Sequence, residues 1–267
     1  MKLIFLDIDG TLVSEKNGAA PPSAAAAVRA ARALGSRVYL TTGRSKAEIY
    51  ADLWEIGFDG LIGGNGLYVE DGGAVALDLA LSAGDTARAV DWLKAQGLGF
   101  YLESKNGLFG SDTFLKASAK QMHIPAAFVK KAFPKMIFGE NLYRDDVAKI
   151  SFCLTKDVMD AARRAFGETL KVDTWGIGGK PDLFGEFSLP GADKVHAVRF
   201  LLDRIGGRIE DTFAFGDARS DLEMIRFCGT GVAMGNACDA LKEAADLVTD
   251  TVENDGLAKA FAVLHLT

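Results

Sequence analysis

Asp7 and Asp9 lie two residues apart in the string Asp7-Ile8-Asp9-Gly10-Thr11, directly after the apolar run Leu3–Leu6. Carboxylates at this spacing, followed by a glycine, can share the lip at a strand end. There one can attack an electrophile while the other manages protons, or both can approach a single hard cation. The segment Phe215–Asp221 (FGDARSD) adds Asp217 and Asp221 at the end of a second β-rich run. Four acids converging without compensation would repel, and a divalent cation held by oxygen ligands resolves that conflict.

Two further groups suit an anion. Thr41-Thr42-Gly43-Arg44 ends a β-rich run and precedes a helical pattern, so a hydroxyl and free backbone N–H groups meet where a phosphate oxygen could sit. Lys194 follows Asp193 at the start of another helical pattern. An ammonium there is unusual in helix-dipole terms and favourable for a bound anion. Taken singly, acidic turns, Thr-Gly turns and solvated lysines are ordinary surface features. Their company and order, each at a strand or helix terminus, carry the signal.

Periodicity gives the elements that must hold these residues. Leu3–Leu6 is a continuous apolar run of the kind buried on both faces in a parallel sheet. The next stretch predicts a helix capped by Ser23 and ended by Gly35, then a strand over 37–42. Ser45 with Glu48 predicts a capping box that opens a helix through about Ile56. The same alternation returns late in the chain. Helices begin at Asp193, Leu222 and Gly256, and strands are predicted at 212–216, 230–234 and 247–249. Strand and helix in alternation imply right-handed crossovers and a parallel sheet. Between these blocks, helical patterns at 85–96 and 156–166 flank strand candidates at 97–103 and 149–154, with a long irregular stretch between them. The expected fold is α/β, a Rossmann-like parallel-sheet core made of 1–81 and 188–267 with an inserted α+β domain at 82–187.

Composition excludes several classes. The 267 residues are 49% hydrophobic and 25% charged, which rules out wholesale disorder, and carry a net charge of −6. An acidic surface repels phosphate backbones, so nucleic acid is not an expected partner, although one local cluster can still hold a small anion. The N-terminal apolar run breaks at Asp7 after four residues, too short for a signal-peptide core, and no stretch is long enough to span a bilayer. Cys153, Cys228 and Cys238 are odd in number and lack C-x-x-C pairing, so buried thiols are expected rather than disulfides or zinc. The expected setting is the cytoplasm, with no membrane partner and a monomer or weak homodimer.

With these motifs in this order, the chain resembles the haloacid dehalogenase superfamily of phosphatases. More narrowly it resembles the Cof-type branch, which carries a large cap inserted between the second and third motifs. Gly63–Gly66 (GGNG), Gly231–Ala237 (GVAMGNA) and Ala245–Ala258 (ADLVTDTVENDGLA) extend the likeness. The resemblance covers about 1–80 and 188–267; the cap fits in length and position but carries no matching motif. It implies that Asp7 is a nucleophile forming a phosphoaspartate. Asp9 would protonate the leaving oxygen and then deprotonate water, work typically worth about 10²–10⁴ in rate. It implies a Mg²⁺ held by Asp7, the Asp9 carbonyl and Asp217, with Asp221 in support. Thr42, preferred over Thr41 because it directly precedes the glycine, and Lys194 would hold the phosphoryl oxygens. Gly10, Thr11, Gly43, Arg44, Asn65 and Ser220 complete the substrate-binding set. Ser220 stands where family members often have Asn, and Val195 where Gly commonly follows the lysine; His196 is expected on the helix surface.

The implied activity is hydrolysis of a small phosphorylated metabolite, a sugar phosphate or similar monoester. The alternatives are a phosphotransferase or mutase on the same core, and a metabolite sensor without catalysis. The retained Asp7, Asp9, Lys194 and Asp217 argue against the sensor, which has no use for a proton shuttle beside a nucleophile. Specificity is expected in the cap, where Glu140 and Asn141 are the first positions to test.

Overall fold

The computed structural model describes residues 1–177 and 180–267. In chain order, the first block holds β1 (Leu3–Leu6), α1 (Pro22–Ala33), β2 (Arg37–Thr41), α2 (Ala51–Ile56), β3 (Gly60–Gly63), β4 (Tyr68–Asp71) and β5 (Ala74–Asp78). The middle holds α3 (Ala83–Ala95), β6 (Phe100–Ser104), β7 (Gly107–Gly110), α4 (Phe114–Met122), α5 (Ala126–Ala132), β8 (Met136–Phe138), β9 (Val147–Cys153), α6 (Val158–Phe166), β10 (Lys171–Ile177) and β11 (Lys180–Ser188). The last block holds α7 (Lys194–Ile205), β12 (Thr212–Gly216), α8 (Leu222–Phe227), β13 (Thr230–Ala233), α9 (Asp239–Ala244), β14 (Leu247–Val248) and α10 (Gly256–Val263). Two compact units result: Met1–Arg44 with Ile49–Asp78 and Ala192–Thr267, and Ser45–Glu48 with Leu79–Gly191.

The first unit is an eight-stranded sheet in the order β14-β13-β12-β1-β2-β3-β4-β5. Its strands are parallel from β14 to β3, and β4 and β5 close one edge as antiparallel partners. The apolar run of β1 is buried on both faces, as a central parallel strand requires. Ile4 and Leu6 enter the cluster that includes Val28 of α1 and Phe261 of α10, while Leu3 and Phe5 enter the one that includes Val198 of α7 and Met224 of α8. Chain order runs outward from β1 through β2 and β3, then restarts on its other side with β12, β13 and β14. The β1/β12 boundary is therefore the switch point of the sheet, where ligand clefts form at the carboxyl ends of strands.

The second unit is a six-stranded sheet, β10-β11-β9-β6-β7-β8, antiparallel except for β7 beside β8. Alternate residues face opposite sides. Phe100, Leu102, Ile150, Phe152 and Phe187 join Leu93 of α3 and Phe166 of α6 on one face, with Trp92 edge-on to three of the rings. Tyr101, Cys153 and Phe184 meet Phe114 of α4 and Val129 of α5 on the other. That second face also buries charge. The Lys149 ammonium lies 3.1 Å from Glu103 and 2.8 Å from Glu186, Ser151 donates to Glu103 at 2.7 Å, and Trp175 donates to Ser151 at 3.0 Å. Burial pushes both glutamates up despite the lysine.

Several local expectations are corrected. Ser23 does not cap α1: Pro21 and Pro22 set the start, Ser23 falls inside the helix, and its hydroxyl donates to Asp255. Ser45 and Glu48 form their hydrogen bonds but only a short 3-10 turn, because Tyr50 is extended (φ −79°, ψ 156°) before α2 begins. Ile49 is buried with Leu53 and Ile56 in the first unit's core. The stretch expected to be irregular holds β7, α4, α5 and β8. All three thiols are free; Cys153 and Cys228 are buried, but Cys238 is exposed, at the entry to α9. No helix among the described residues is long and apolar enough to cross a membrane.

Because Lys149 sits between two buried glutamates, Lys149→Met is expected to cost about 3–5 kcal/mol in urea denaturation, the usual penalty for leaving a buried charge unpaired. Adding Glu103→Gln and Glu186→Gln should recover most of that loss. A cost below about 1 kcal/mol for the single change would contradict an ion cluster that is sealed from water.

Candidate active site

The carboxyl ends of β1 and β12 build the centre. Their parallel register pairs Leu6 with Phe215, and the Asp7 N–H donates to the Phe215 carbonyl at 3.0 Å. Asp7 and Asp217 thus leave adjacent strands side by side. The chain after Asp7 turns tightly, with the Gly10 N–H on the Val13 carbonyl at 2.9 Å and the Val13 N–H on the Ile8 carbonyl at 2.8 Å. Gly10 has φ +80°, and a methyl there would run into the Asp217 carboxylate. Thr11 is fully buried and donates its hydroxyl to Asp217 at 3.1 Å.

Lys194 opens α7, whose N-terminus Asp193 caps by accepting the His196 N–H at 2.7 Å. Its buried ammonium lies 2.6 Å from Asp7 and 2.6 Å from Asp221. The second oxygen of Asp221 accepts the N–H groups of Asp217 (3.2 Å) and Ala218 (3.0 Å), so both its oxygens are engaged. Oxygens of Asp7, Asp217 and Asp221 lie within 4.8 Å of one another.

The charges do not balance. Burial pushes the Asp7 carboxyl well above the usual range, and Asp221, Asp217 and Asp9 add to the rise while Lys194 opposes it. Burial also lifts Asp217 to about 7, helped by Asp221 and only partly offset by the Thr11 hydrogen bond. For Lys194, burial alone would favour the neutral amine, but Asp221 and Asp7 outweigh it and hold the ammonium above the usual lysine range. One lysine among three converging acids leaves negative charge uncompensated, and the donors are all oxygen. A hard divalent cation fits that set.

Asp9 does not join this cluster. It is half exposed, and the Arg44 guanidinium grips both its oxygens, at 2.8 and 2.5 Å. Thr42 is buried and its hydroxyl accepts the Arg44 N–H at 3.1 Å, leaving its own proton to donate. The Thr41 hydroxyl is buried without a partner among the described residues. Gly43 passes Asn65 so closely that a methyl would lie 3.2 Å from the Asn65 amide oxygen, and the Asn65 N–H donates to the Thr42 carbonyl at 3.0 Å. Ser220 and His196 are exposed and Val195 half-buried. Glu140 and Asn141 are exposed in the second unit, on a groove of about 420 Å³ that Lys94, Ser111 and Tyr143 also line.

Sequence reasoning gave Asn236 no role. Its amide donates to the Gly10 carbonyl at 2.8 Å and its oxygen accepts the Val252 N–H at 3.2 Å, tying the Asp9–Gly10 turn to the GVAMGNA loop. A polar residue among the small and apolar residues of that string was the available signal.

The Bacillus subtilis (strain 168) protein YkrA is 31% identical over 99% of this chain and 98% of its own length. A second protein of that strain, the 5-amino-6-(5-phospho-D-ribitylamino)uracil phosphatase YcsE, is 27% identical over 97% of this chain and 94% of its own. Among solved structures, the subclass IIB sugar phosphatase BT4131 superposes over 100% of both chains with a TM-score of 0.79 at 26% identity. The family model of the haloacid dehalogenase-like hydrolases matches residues 4–261, and the chain belongs to that family.

Proposed function

We propose that this chain is a phosphatase acting on small phosphomonoesters, sugar phosphates foremost, by moving the phosphoryl group onto Asp7 and then onto water. The observation that carries this reading is the buried Asp7 carboxylate at the switch point of the sheet, with the Lys194 ammonium 2.6 Å away and Asp217 and Asp221 gathered beside it. The names of YcsE and BT4131, both phosphatases of small phosphorylated compounds, support the substrate class.

Each residue then has a task. Asp7 attacks phosphorus and becomes the phosphoaspartate. Lys194, charged and fixed at the head of α7, together with the Thr42 hydroxyl, neutralises the phosphoryl oxygens as the bond to the leaving group loosens. Asp9 gives a proton to the departing oxygen and later removes one from the attacking water. Asp7, Asp217 and the Asp9 carbonyl would hold Mg²⁺; Asp221, with both oxygens engaged, fixes Lys194 and the Asp217 backbone in support. When bound, the ion would neutralise the surplus carboxylate charge and the phosphoryl oxygens.

Asp7→Asn is nearly isosteric and removes the nucleophile without a packing defect. Phosphate release from p-nitrophenyl phosphate should fall by several orders of magnitude with the fold retained by circular dichroism. Activity within about tenfold of the parent chain would sink the assignment.

Without metal, Asp217 binds its proton more tightly folded than unfolded, moving from 3.8 to about 7. Stability from that proton is fully present below the lower value and lost as pH rises through the upper one. Below about pH 7, protons also compete with a cation for the site. Added Mg²⁺ should therefore raise the melting temperature by more at pH 8 than at pH 5, and EDTA should abolish both the rise and turnover. An equal rise at the two pH values would place the cation elsewhere.

A further inference from the structure

We propose that Arg44 is a positioning residue for Asp9, holding the carboxylate in the orientation that serves the leaving group. This rests on the reading of Asp9 as the group that protonates that oxygen. The Asp9 side chain is 48% exposed, whereas that of Asp7, two residues earlier, is 9% exposed and held by Lys194. A half-exposed aspartate samples several rotamers, and proton transfer needs one of them. The bidentate guanidinium supplies the restraint, since two parallel N–H···O bonds fix a carboxylate in plane and direction where one ammonium would fix only distance. It engages each oxygen from one side, and a carboxylate has about four lone-pair sites, so acceptor positions remain for a proton.

Arg44 is itself held in place. Its N–H donates to the Thr42 hydroxyl at 3.1 Å, its carbonyl accepts the Gly64 N–H at 2.7 Å, and its guanidinium lies 5.6 Å from the centre of the Tyr50 ring. The Thr42 hydroxyl that takes the Arg44 N–H is the one proposed to donate to the phosphoryl group, so the phosphate-holding turn and the proton-managing carboxylate are linked through this arginine.

The test compares two leaving groups in the full-length protein with Mg²⁺, reading kcat/KM, which reports steps up to departure of the alcohol. p-Nitrophenolate leaves without a proton; the alkoxide of a sugar or glycerol phosphate needs one. Asp9→Asn should lose at least about tenfold more on the alkyl ester than on p-nitrophenyl phosphate. Arg44→Lys and Arg44→Gln, which keep bulk at a largely buried position, should show the same selective loss with little change in KM. The double variant Asp9→Asn/Arg44→Lys should be no worse than Asp9→Asn alone. Equal losses on both esters with a raised KM would make Arg44 a phosphate-binding residue and overturn the proposal, and additive losses in the double variant would overturn it too. If Asp9→Asn itself shows no selectivity between esters, the acid role of Asp9 falls and this proposal falls with it. Selectivity in Asp9→Asn without selectivity in either Arg44 variant overturns the proposal alone.

Discussion

Pairing of β1 with β12 sets the chemistry of the first unit. These strands are parallel neighbours although they come from opposite ends of the chain, and Leu6 stands in register with Phe215. A shift of one residue would turn Asp7 to the other face of the sheet and exchange the two apolar clusters that β1 feeds. The pairing is specified by hydrophobic burial, with Ile4 and Leu6 on one side and Leu3 and Phe5 on the other. Apolar packing thus delivers two carboxylates to adjacent strand ends, an outcome that electrostatics alone would oppose.

The surrounding structure answers that opposition only in part. Lys194 enters from α7 and bridges Asp7 to Asp221, Thr11 donates to Asp217, and two backbone N–H groups hold Asp221. Each of these contacts also fixes direction, so the acids cannot relax by swinging apart. What is left is a crowded acidic lip in which burial and Asp221 lift Asp217 to about 7. Preorganisation of this kind has a stability cost in the resting protein and favours whatever brings positive charge.

Much of this was legible in the sequence, for reasons that differ by element. β1 was readable because burial on both faces demands an uninterrupted apolar run, and α7 because Asp193 supplies a cap that the structure shows accepting the His196 N–H. The capping signal at Ser45 forms its hydrogen bonds to Glu48 but carries only one 3-10 turn, because the chain is extended at Tyr50 before α2 begins, and a motif of four residues does not contain that interruption. The Lys149 cluster was invisible for a related reason: Glu103, Lys149 and Glu186 lie on β6, β9 and β11, and none forms a motif with its sequence neighbours. At the candidate site, motifs give strand ends but not partners. Arg44 with Asp9, Thr11 with Asp217 and Asn236 with Gly10 join residues 35, 206 and 226 positions apart. No spacing rule reaches that far.

The glycines of the recurring strings show how closely the pieces are pressed together. Gly10 is needed less for its own turn than for its neighbour, since any side chain at φ +80° would displace the Asp217 carboxylate. Gly66, at φ +97°, plays the same part at the head of α7. A methyl there would run into the carbonyl of Asp193, the residue that caps α7. The 64–66 turn therefore sets how near the head of α7 can come, and with it where Lys194 reaches. That turn also packs Asn65 against Gly43 and takes the Arg44 carbonyl through Gly64. The GGNG string then does not need to touch a substrate to matter: it is the spacer between the Thr42–Gly43 turn, the head of α7 and the Arg44 backbone. A larger residue at Gly66 would push Lys194 away from Asp7 and leave the acidic strand ends without their resident cation.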